Sequence, residues 1–128
     1  MKELTRILMV EDEPDIQVIA RLALEAIGGF TVSVCSSGAE ALAGGPAFQP
    51  DLVLLDVMMP GLDGPGTLQA MRETPRMADV PVVFMTAKVQ PQEVAHLKAL
   101  GALGVIAKPF DPMTLSSTIR DIWSEHHA

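Results

Sequence analysis

The sequence predicts an open α/β sandwich, in which five short parallel strands alternate with five helices. Five apolar runs of strand length recur along the chain, and amphipathic stretches of helical length separate them. Runs as continuously apolar as LVLL and VVFM are typical of strands covered on both faces, as in a parallel sheet. This alternation favours an α/β architecture, and right-handed crossovers place helices on both sides of the sheet.

The predicted strands are short and contain several β-branched side chains, which suit a pleated sheet. They are RILMV (6–10), TVSVC (31–35), LVLLD (52–56), VVFMT (82–86) and GVIA (104–107). Each lies between polar or turn-forming residues, so we expect five separate strands.

The first predicted helix begins at Pro14 in the stretch PDIQVIARLALEAIGG. Gly28 and Gly29 follow it and are a typical signal for the end of a helix. Apolar residues recur at helical spacing and predict the buried face, which consists of Ile16, Ile19, Ala20, Ala23 and Ile27.

Four further helices are predicted at about 38–44, 64–73, 91–99 and 112–126. Pro65 falls in the first turn of its helix, where proline is well tolerated. The last helix carries part of an apolar stripe, made of Met113, Ile119, Ile122 and Trp123.

Length and composition limit the classes of function that the chain can have. With 128 residues, 48% hydrophobic, the chain is expected to form one domain over 1–128, with its core at about 5–125. The final SEHHA completes a helix without starting a linker, which favours a natural stop there. No apolar run is long enough to cross a membrane, and the N-terminal stretch does not resemble a signal peptide.

The net charge of −7 disfavours direct binding to nucleic acid, which requires clustered Lys and Arg. A single cysteine, Cys35, cannot form an internal disulfide. We therefore expect a cytoplasmic protein that contacts neither membrane nor nucleic acid directly.

Polar residues collect where the predicted strands end. Glu11 and Asp12 follow the first strand, Asp56 ends the third, Thr86 ends the fourth, and Lys108-Pro109 follows the fifth. In a parallel sheet these ends share one edge, where ligands bind at the switch in strand order. Three acids, a hydroxyl and a lysine are therefore expected to converge.

This set of groups suits phosphoryl chemistry at a magnesium site. Three close carboxylates repel one another unless a cation neutralises them, and hard oxygen ligands favour Mg²⁺. Lys108 adds a positive charge and Thr86 a hydroxyl donor. Asp56 can act as a nucleophile, because an aspartyl phosphate is an established covalent intermediate.

Each residue taken alone also has an ordinary explanation. Asp56 could be a turn or helix-cap residue, and Glu11 and Asp12 could support the start of the first helix. Thr86 could serve only strand propensity, and Lys108 could be a solvated surface lysine. Only the joint placement at four strand ends is specific.

The chain resembles the receiver domain of bacterial two-component response regulators, of the single-domain type. Four ordered motifs carry the resemblance: ILMVEDEP, PDLVLLDVMMPGLDG, VPVVFMTA and GALGVIAKPF. It implies a flavodoxin-like, doubly wound (βα)5 sandwich with the parallel strand order 2-1-3-4-5. It also implies a signalling protein rather than an enzyme, one that promotes only its own phosphorylation and dephosphorylation.

The resemblance assigns roles around Asp56, the implied phospho-acceptor. Asp12, Asp56 and the backbone carbonyl of Met58 would bind Mg²⁺ (with Mn²⁺ as a substitute), and Glu11 would assist through a metal-bound water. The phosphoryl donor would be a histidine kinase or a histidine phosphotransfer protein. Phosphorylation would control the binding of a downstream protein, or homodimerisation.

The remaining implied roles concern the phosphoryl oxygens. Lys108 would pair with them, and its peptide bond to Pro109 is expected to be cis. Thr86 would swing toward the phosphoryl group, and the Ala87 amide would be a further donor. This movement would be the switch.

Three positions modify that expectation. Val105 stands where the family usually carries Tyr or Phe, which predicts a weaker or differently transmitted change on the face formed by the fourth helix, fifth strand and fifth helix. Met58 and Lys88 occupy the variable positions that influence hydrolysis in the family. A methionine cannot orient an attacking water by hydrogen bonding and Lys88 offers only donors, so a long-lived phosphorylated state is expected. Met58 could instead simply pack nearby.

Alternative functions remain open on the sequence. One is a small Mg²⁺-dependent phosphohydrolase with Asp56 as nucleophile, although Met58 stands where such enzymes carry a general acid. Another is a flavin-binding protein, although EDEPD after the first strand would repel a phosphate. A third is a receiver-like interaction module that is never phosphorylated.

Overall fold

The computed structural model describes residues 3–127 and contains five strands and five helices in strict alternation. Their bounds are β1 Arg6–Val10, α1 Pro14–Leu22, β2 Thr31–Cys35, α2 Gly38–Phe48, β3 Leu52–Asp56, α3 Gly64–Arg72, β4 Val82–Thr86, α4 Pro91–Ala99, β5 Gly104–Ala107 and α5 Leu115–His127. The predicted end of the chain includes Ala128, which lies outside the described residues. Within 3–127 no helix has the length and apolar content needed to cross a membrane.

The five strands form one parallel sheet in the order β2-β1-β3-β4-β5, so the predicted flavodoxin-like fold is confirmed. All five strand boundaries agree with the sequence prediction. β3 lies at the centre of the sheet, with β1 on one side and β4 on the other. The last residue of β3, Asp56, pairs in register with Met85 of β4.

Alternate residues of the strands pack into two separate hydrophobic cores, one on each face of the sheet. One core joins the sheet to α1 and α5, and the other joins it to α2, α3 and α4. Members of the first include Ile7, Met9, Leu24, Leu54, Met85 and Trp123; members of the second include Leu8, Val53, Leu55, Phe84, Met77 and Leu97. Because both faces are covered, the central strands β1, β3 and β4 are buried along nearly their whole length.

The end of α1 departs from the predicted helical face. Residues Ala23–Ile27 form a π-helical turn, whose backbone hydrogen bonds span one more residue than those of the α-helix. The changed spacing turns Leu24 into the core and leaves Ile27 half exposed. Ile19 is also largely exposed, so the predicted burial of these two isoleucines is wrong.

α2 runs to Phe48, beyond the predicted end at residue 44. Gly44, Gly45 and Pro46 have low helix propensity, but Gly45 allows close packing on the sheet. A Cβ atom there would lie 2.8 Å from the end of Met77 and 3.2 Å from that of Leu8. This packing outweighs the low helix propensity of the segment.

α5 begins at Leu115 rather than at residue 112. Asp111 organises the preceding turn, where its carboxylate accepts the Met113 amide at 2.9 Å and its carbonyl accepts the Leu115 amide at 3.0 Å. Met113 is consequently exposed, and its predicted place in the buried stripe is wrong. Ile119 and Trp123 are buried as predicted.

Gly64 permits the close approach of α3 to the end of β3, and we predict that Gly64→Ala destabilises the protein by about 1–3 kcal/mol. An added Cβ would lie 2.5 Å from the backbone oxygen of Asp56 and 2.8 Å from the Val57 Cα. Gly44→Ala is a matched control, since nothing lies within 4 Å of its added Cβ. It should stabilise the protein by about 0.5–1 kcal/mol. Urea unfolding measures both changes, and equal stability of Gly64→Ala and wild type would contradict the prediction.

Candidate functional site

The polar residues predicted to converge do meet at the carboxyl edge of the sheet. Lys108, which follows β5, extends its ammonium group to Glu11 Oε1 at 2.9 Å and to Asp56 Oδ1 at 3.3 Å. These contacts join residues that are 97 and 52 positions apart in the chain. The lysine therefore ties the ends of β1, β3 and β5 together at one point.

Glu11, Asp12 and Asp56 form a compact acidic group. One carboxylate oxygen from each lies within 4.8 Å of the other two. Glu11 is fully buried and Asp56 is 3% exposed, whereas Asp12 is half-buried. Three hard oxygen donors of this kind suit a divalent cation such as Mg²⁺, so the residues present fit the metal that the resemblance implies.

Electrostatics at the acidic group favour added positive charge. Burial raises the pKa of Asp56 to about 6, and repulsion from Glu11 adds to the effect, while Lys108 partly opposes it. Burial also acts on Lys108 and would lower its pKa. Hydrogen bonds and charge attraction from Glu11 and Asp56 overcome that effect and raise its pKa above the usual range.

Thr86 is buried at the end of β4, and its hydroxyl accepts the backbone N–H of Lys88 at 3.0 Å. The side chains of Ala87 and Lys88 are exposed at the start of the following loop. The backbone N–H of Lys108 bonds to the Thr86 carbonyl at 2.9 Å, which links the two strand ends. The Lys108-Pro109 peptide bond is cis.

Met58 and Val105 are two of the three positions that modify the expected behaviour of the family, and they differ in exposure. Met58, in the loop after β3, is 68% exposed, so its side chain contributes little to packing around Asp56. Val105, in β5, is partly buried and packs against the core on the α2–α4 side. No aromatic ring from this position reaches the surface.

The helix-cap explanation for Asp56 does not fit its surroundings. Asp63 is the N-cap of α3, and its carboxylate accepts the Gly66 amide at 2.8 Å. Glu11 does have a local structural contact, since its Oε2 accepts the Glu13 amide at 3.1 Å just before α1. Its other oxygen remains available to Lys108, so Glu11 contributes both to the loop and to the acidic group.

Gln17 is a contributor that the sequence reasoning missed. Its side-chain amide in α1 donates to the Glu11 carbonyl and to Ser36 Oγ at 3.1 Å, so it joins the loops that follow β1 and β2. The signal was weak, because Gln17 lies within a helix rather than at a strand end. Its placement about one turn after Pro14 was the only indication that it faces the edge.

Comparisons with known proteins agree with this geometry. A family model described as the response regulator receiver domain matches residues 7–120. Similar proteins include the response regulator Rre1 of Synechocystis, 34% identical over the whole chain, and the DNA-binding response regulator MtrA of Mycolicibacterium smegmatis, 35% identical over 90% of it. The chain spans about half the length of these relatives, 55% and 49% respectively.

Matches to solved structures cover nearly the whole length of both chains. The chemotaxis response regulator CheY4 of Vibrio cholerae superposes with a TM-score of 0.85 at 29% identity, covering 94% of this chain and 99% of that one. A response regulator from Chloroflexus aurantiacus gives a TM-score of 0.83 at 28% identity, with coverages of 95% and 99%. Both therefore share the architecture described above almost from end to end.

Proposed function

Because this chain belongs to the receiver-domain family of response regulators, we propose that it is a phospho-acceptor signalling domain in which Asp56 receives a phosphoryl group from a phosphohistidine donor. The observation that carries the proposal is the position of Asp56. It ends the central strand, is almost completely buried, and lies 3.3 Å from Lys108 within the acidic group. A buried carboxylate with such neighbours is suited to nucleophilic chemistry, whereas a carboxylate that only keeps a protein soluble lies on the surface.

The transfer joins a carboxylate oxygen of Asp56 to phosphorus. The P–N bond of the donor breaks as the new P–O bond forms, its electron pair goes to the imidazole nitrogen, and that nitrogen takes a proton from water. Lys108 would stabilise negative charge on the phosphoryl oxygens from its position beside Asp56. Positioning and charge stabilisation are the main contributions that a protein makes to such a reaction.

Asp12, Asp56 and the Met58 carbonyl would hold Mg²⁺, with Glu11 acting through a bound water. The bound cation supplies positive charge that offsets both the acidic group and the incoming phosphoryl oxygens. Burial and the neighbouring Glu11 carboxylate raise the pKa of Asp56, so added positive charge would favour its ionised form. Metal binding and phosphorylation would therefore act on the same buried carboxylate.

The effect of phosphorylation would be transmitted from Asp56 to the β4–α4 loop through Thr86. In the structure its hydroxyl accepts the Lys88 amide, and rotation toward a phosphoryl group on Asp56 would break that bond and release the start of the β4–α4 loop. The Ala87 amide would then serve as a further donor. With Val105 in place of an aromatic residue, the change at the α4–β5–α5 face would be smaller than in aromatic-bearing members of the family.

Hydrolysis of the acyl phosphate would be slow. Met58 and Lys88 have exposed side chains beside the acceptor, and neither can accept a proton from an attacking water. A long-lived phosphorylated form would follow, and the decay of its mass after removal of the donor would measure the lifetime. Rapid spontaneous loss would contradict this part of the proposal.

The phosphodonor protein would bind where apolar surface borders the acceptor. Val18 and Leu22 of α1 are more than 60% exposed, and Ile16 and Ile19 of the same helix line an apolar cleft of about 390 Å³ that reaches Lys108. Its lining is Ile16, Ile19, Ala87, Lys108, Pro109, Phe110 and Pro112. Exposed patches of this kind mark sites of protein association, and this one would guide a histidine kinase or histidine phosphotransfer protein to Asp56.

Other features of the whole protein belong to the same proposal. We take residues 1–128 as one receiver domain that works in the cytoplasm and promotes only its own phosphorylation and dephosphorylation. Some relatives are named as DNA-binding, but they are about twice as long as this chain. The absence of direct nucleic-acid contact by this acidic chain stays a prediction, as does the choice between a downstream protein and homodimerisation.

Intact mass after incubation with acetyl phosphate and Mg²⁺ tests the proposal. Wild type should gain one phosphoryl group, and Asp56→Asn should gain none. Asp63→Asn is the control, because it makes the same change in a nearby loop while asparagine keeps the helix cap. It should be phosphorylated like wild type. If wild type gains no mass, or Asp56→Asn gains as much as wild type, Asp56 is not the acceptor.

A further inference from the structure

The side chain of Gln17 joins two loops at the carboxyl edge of the sheet. Gln17 lies in the first turns of α1, where its backbone N–H donates to the Glu13 carbonyl at 3.0 Å. Helical side chains tilt toward the N-terminus of their helix, so this long side chain turns back over the loop that precedes α1. Its amide nitrogen donates to the Glu11 carbonyl and to Ser36 Oγ at 3.1 Å. Both hydrogens of the amide group are therefore used.

The contact with Glu11 holds one particular peptide group. The Glu11 carbonyl and the Asp12 N–H belong to the same planar unit. Within residues 3–127, Gln17 is the only group that donates a hydrogen bond to this carbonyl. The preceding peptide is held separately, because the Glu11 N–H donates to the Cys35 carbonyl at 3.0 Å. Gln17 therefore sets the orientation of the peptide that leads into Asp12.

Asp12 depends on that peptide more than the other two acids of the group do. Glu11 is held by the Glu13 amide at one carboxylate oxygen and by Lys108 at the other, and Asp56 also contacts Lys108. The Asp12 carboxylate, in contrast, makes no hydrogen bond or ion pair with any residue in the described part of the chain. The backbone alone directs it toward the acidic group.

We propose that Gln17 is a positioning residue of the magnesium site, which directs the Asp12 carboxylate toward the cation by holding the Glu11–Asp12 peptide. Groups that orient a metal ligand commonly change metal affinity by about 10- to 100-fold. Without the Gln17 amide, the peptide and the Asp12 side chain have more orientations, and cation binding has to order them at a cost in free energy. The inference rests on the proposed magnesium site, and Gln17 itself does not contact the metal.

Isothermal titration of Gln17→Met with Mg²⁺ tests the inference. Methionine keeps the side-chain length and the helix propensity of glutamine but has no donor. The Kd for Mg²⁺ should rise about tenfold relative to wild type. Gln69→Met, the same change at an exposed position of α3, is the matched control and should leave the Kd unchanged. All titrations are made far below the unfolding temperature of each variant, so that only folded protein is compared.

The dependence of phosphorylation on Mg²⁺ separates positioning from a general loss of structure. With acetyl phosphate as donor, Gln17→Met should need about tenfold more Mg²⁺ than wild type for its half-maximal rate. At saturating Mg²⁺ its rate should equal that of wild type, because the bound cation then holds Asp12 in place. A lower saturated rate with an unchanged Mg²⁺ requirement would overturn the positioning role.

Backbone order parameters from NMR relaxation report the held peptide directly. In the metal-free protein, the Asp12 N–H should have a lower order parameter in Gln17→Met than in wild type, and Mg²⁺ should restore it. The Asp56 N–H, which lies in the central strand, should be the same in both proteins. An unchanged Asp12 order parameter would show that Gln17 does not hold this peptide.

Ser36→Ala tests whether the second contact of Gln17 contributes to the first. It leaves the bond to Glu11 but removes the hydroxyl that fixes the amide group from the other side. The loss of Mg²⁺ affinity should be smaller than in Gln17→Met, and the double variant should match Gln17→Met alone. Additive losses would mean that Ser36 does not act through Gln17.

Two outcomes distinguish failure of this inference from failure of the proposed function. If wild type and Gln17→Met bind Mg²⁺ equally tightly, the magnesium site stands and the role of Gln17 is overturned. If wild type does not bind Mg²⁺ at all, both the magnesium site and the role of Gln17 are overturned.

Discussion

Asp12→Asn is expected to weaken Mg²⁺ binding about a hundredfold or more. The variant removes one of the three clustered carboxylates, and even residues that only support a metal ligand commonly change affinity by about 10- to 100-fold. Asp12 is the most accessible of the three, because Glu11 and Asp56 already contact Lys108. An incoming cation would therefore meet Asp12 first and would depend on it most.

Isothermal titration with Mg²⁺ measures this effect, and thermal or chemical stability provides a second readout. At a metal concentration of a hundred times Kd, wild type should gain about 2.7 kcal/mol of stability. Asp12→Asn should gain almost none at the same concentration. Asp15→Asn is the control, since Asp15 is exposed in the first turn of α1. Equal losses in the two variants would mean that the metal responds only to the general charge of this edge.

Asp56→Asn is expected to stabilise the metal-free protein at neutral pH by about 2 kcal/mol. Asp56 is almost completely buried, and its pKa rises to about 6 in the folded protein, against about 3.9 in an unfolded chain. Its ionised form therefore opposes folding. Asparagine has a similar shape without the charge, and Lys108 keeps its contact with Glu11 at 2.9 Å.

The sign of the pH dependence follows from these two pKa values. Between about pH 4 and pH 6 the folded protein binds more protons at Asp56 than the unfolded chain, so the stability of wild type falls as the pH rises through this window. The advantage of Asp56→Asn should be near zero below about pH 4 and complete above about pH 7.

Urea unfolding across this range, with EDTA present, measures the difference between the two proteins. Asp121→Asn, at an exposed position of α5, is the control and should change stability by less than about 0.5 kcal/mol at every pH. A variant that is less stable than wild type at neutral pH would show that Lys108 depends on Asp56 more than the buried charge costs.

The fold could be predicted closely because each strand carried its own local signal. Short runs rich in apolar and β-branched residues predicted all five strand boundaries, and the alternation of elements then implied a sheet with helices on both faces. What the sequence did not reveal was local and depended on tertiary contacts. The π-turn at Ala23–Ile27 and the helical conformation of Gly44-Gly45-Pro46 both follow from packing that single-residue preferences do not encode.

The sequence predicted which residues meet at the site, but it did not predict which of them pair. Parallel strands bring Glu11, Asp56 and Lys108 to one edge, and this follows from topology alone. The structure adds that Lys108 contacts Glu11 more closely than Asp56, at 2.9 Å against 3.3 Å.

Chemical trapping identifies the residue that carries the phosphoryl group, which we propose is Asp56. Borohydride reduces an acyl phosphate on aspartate to homoserine, so peptide mapping after treatment with acetyl phosphate, Mg²⁺ and borohydride locates the modified residue. We expect homoserine at position 56, with Asp12 and Asp63 unmodified. A phosphoryl group found on any other residue, or mass gain without reducible aspartate, would contradict it.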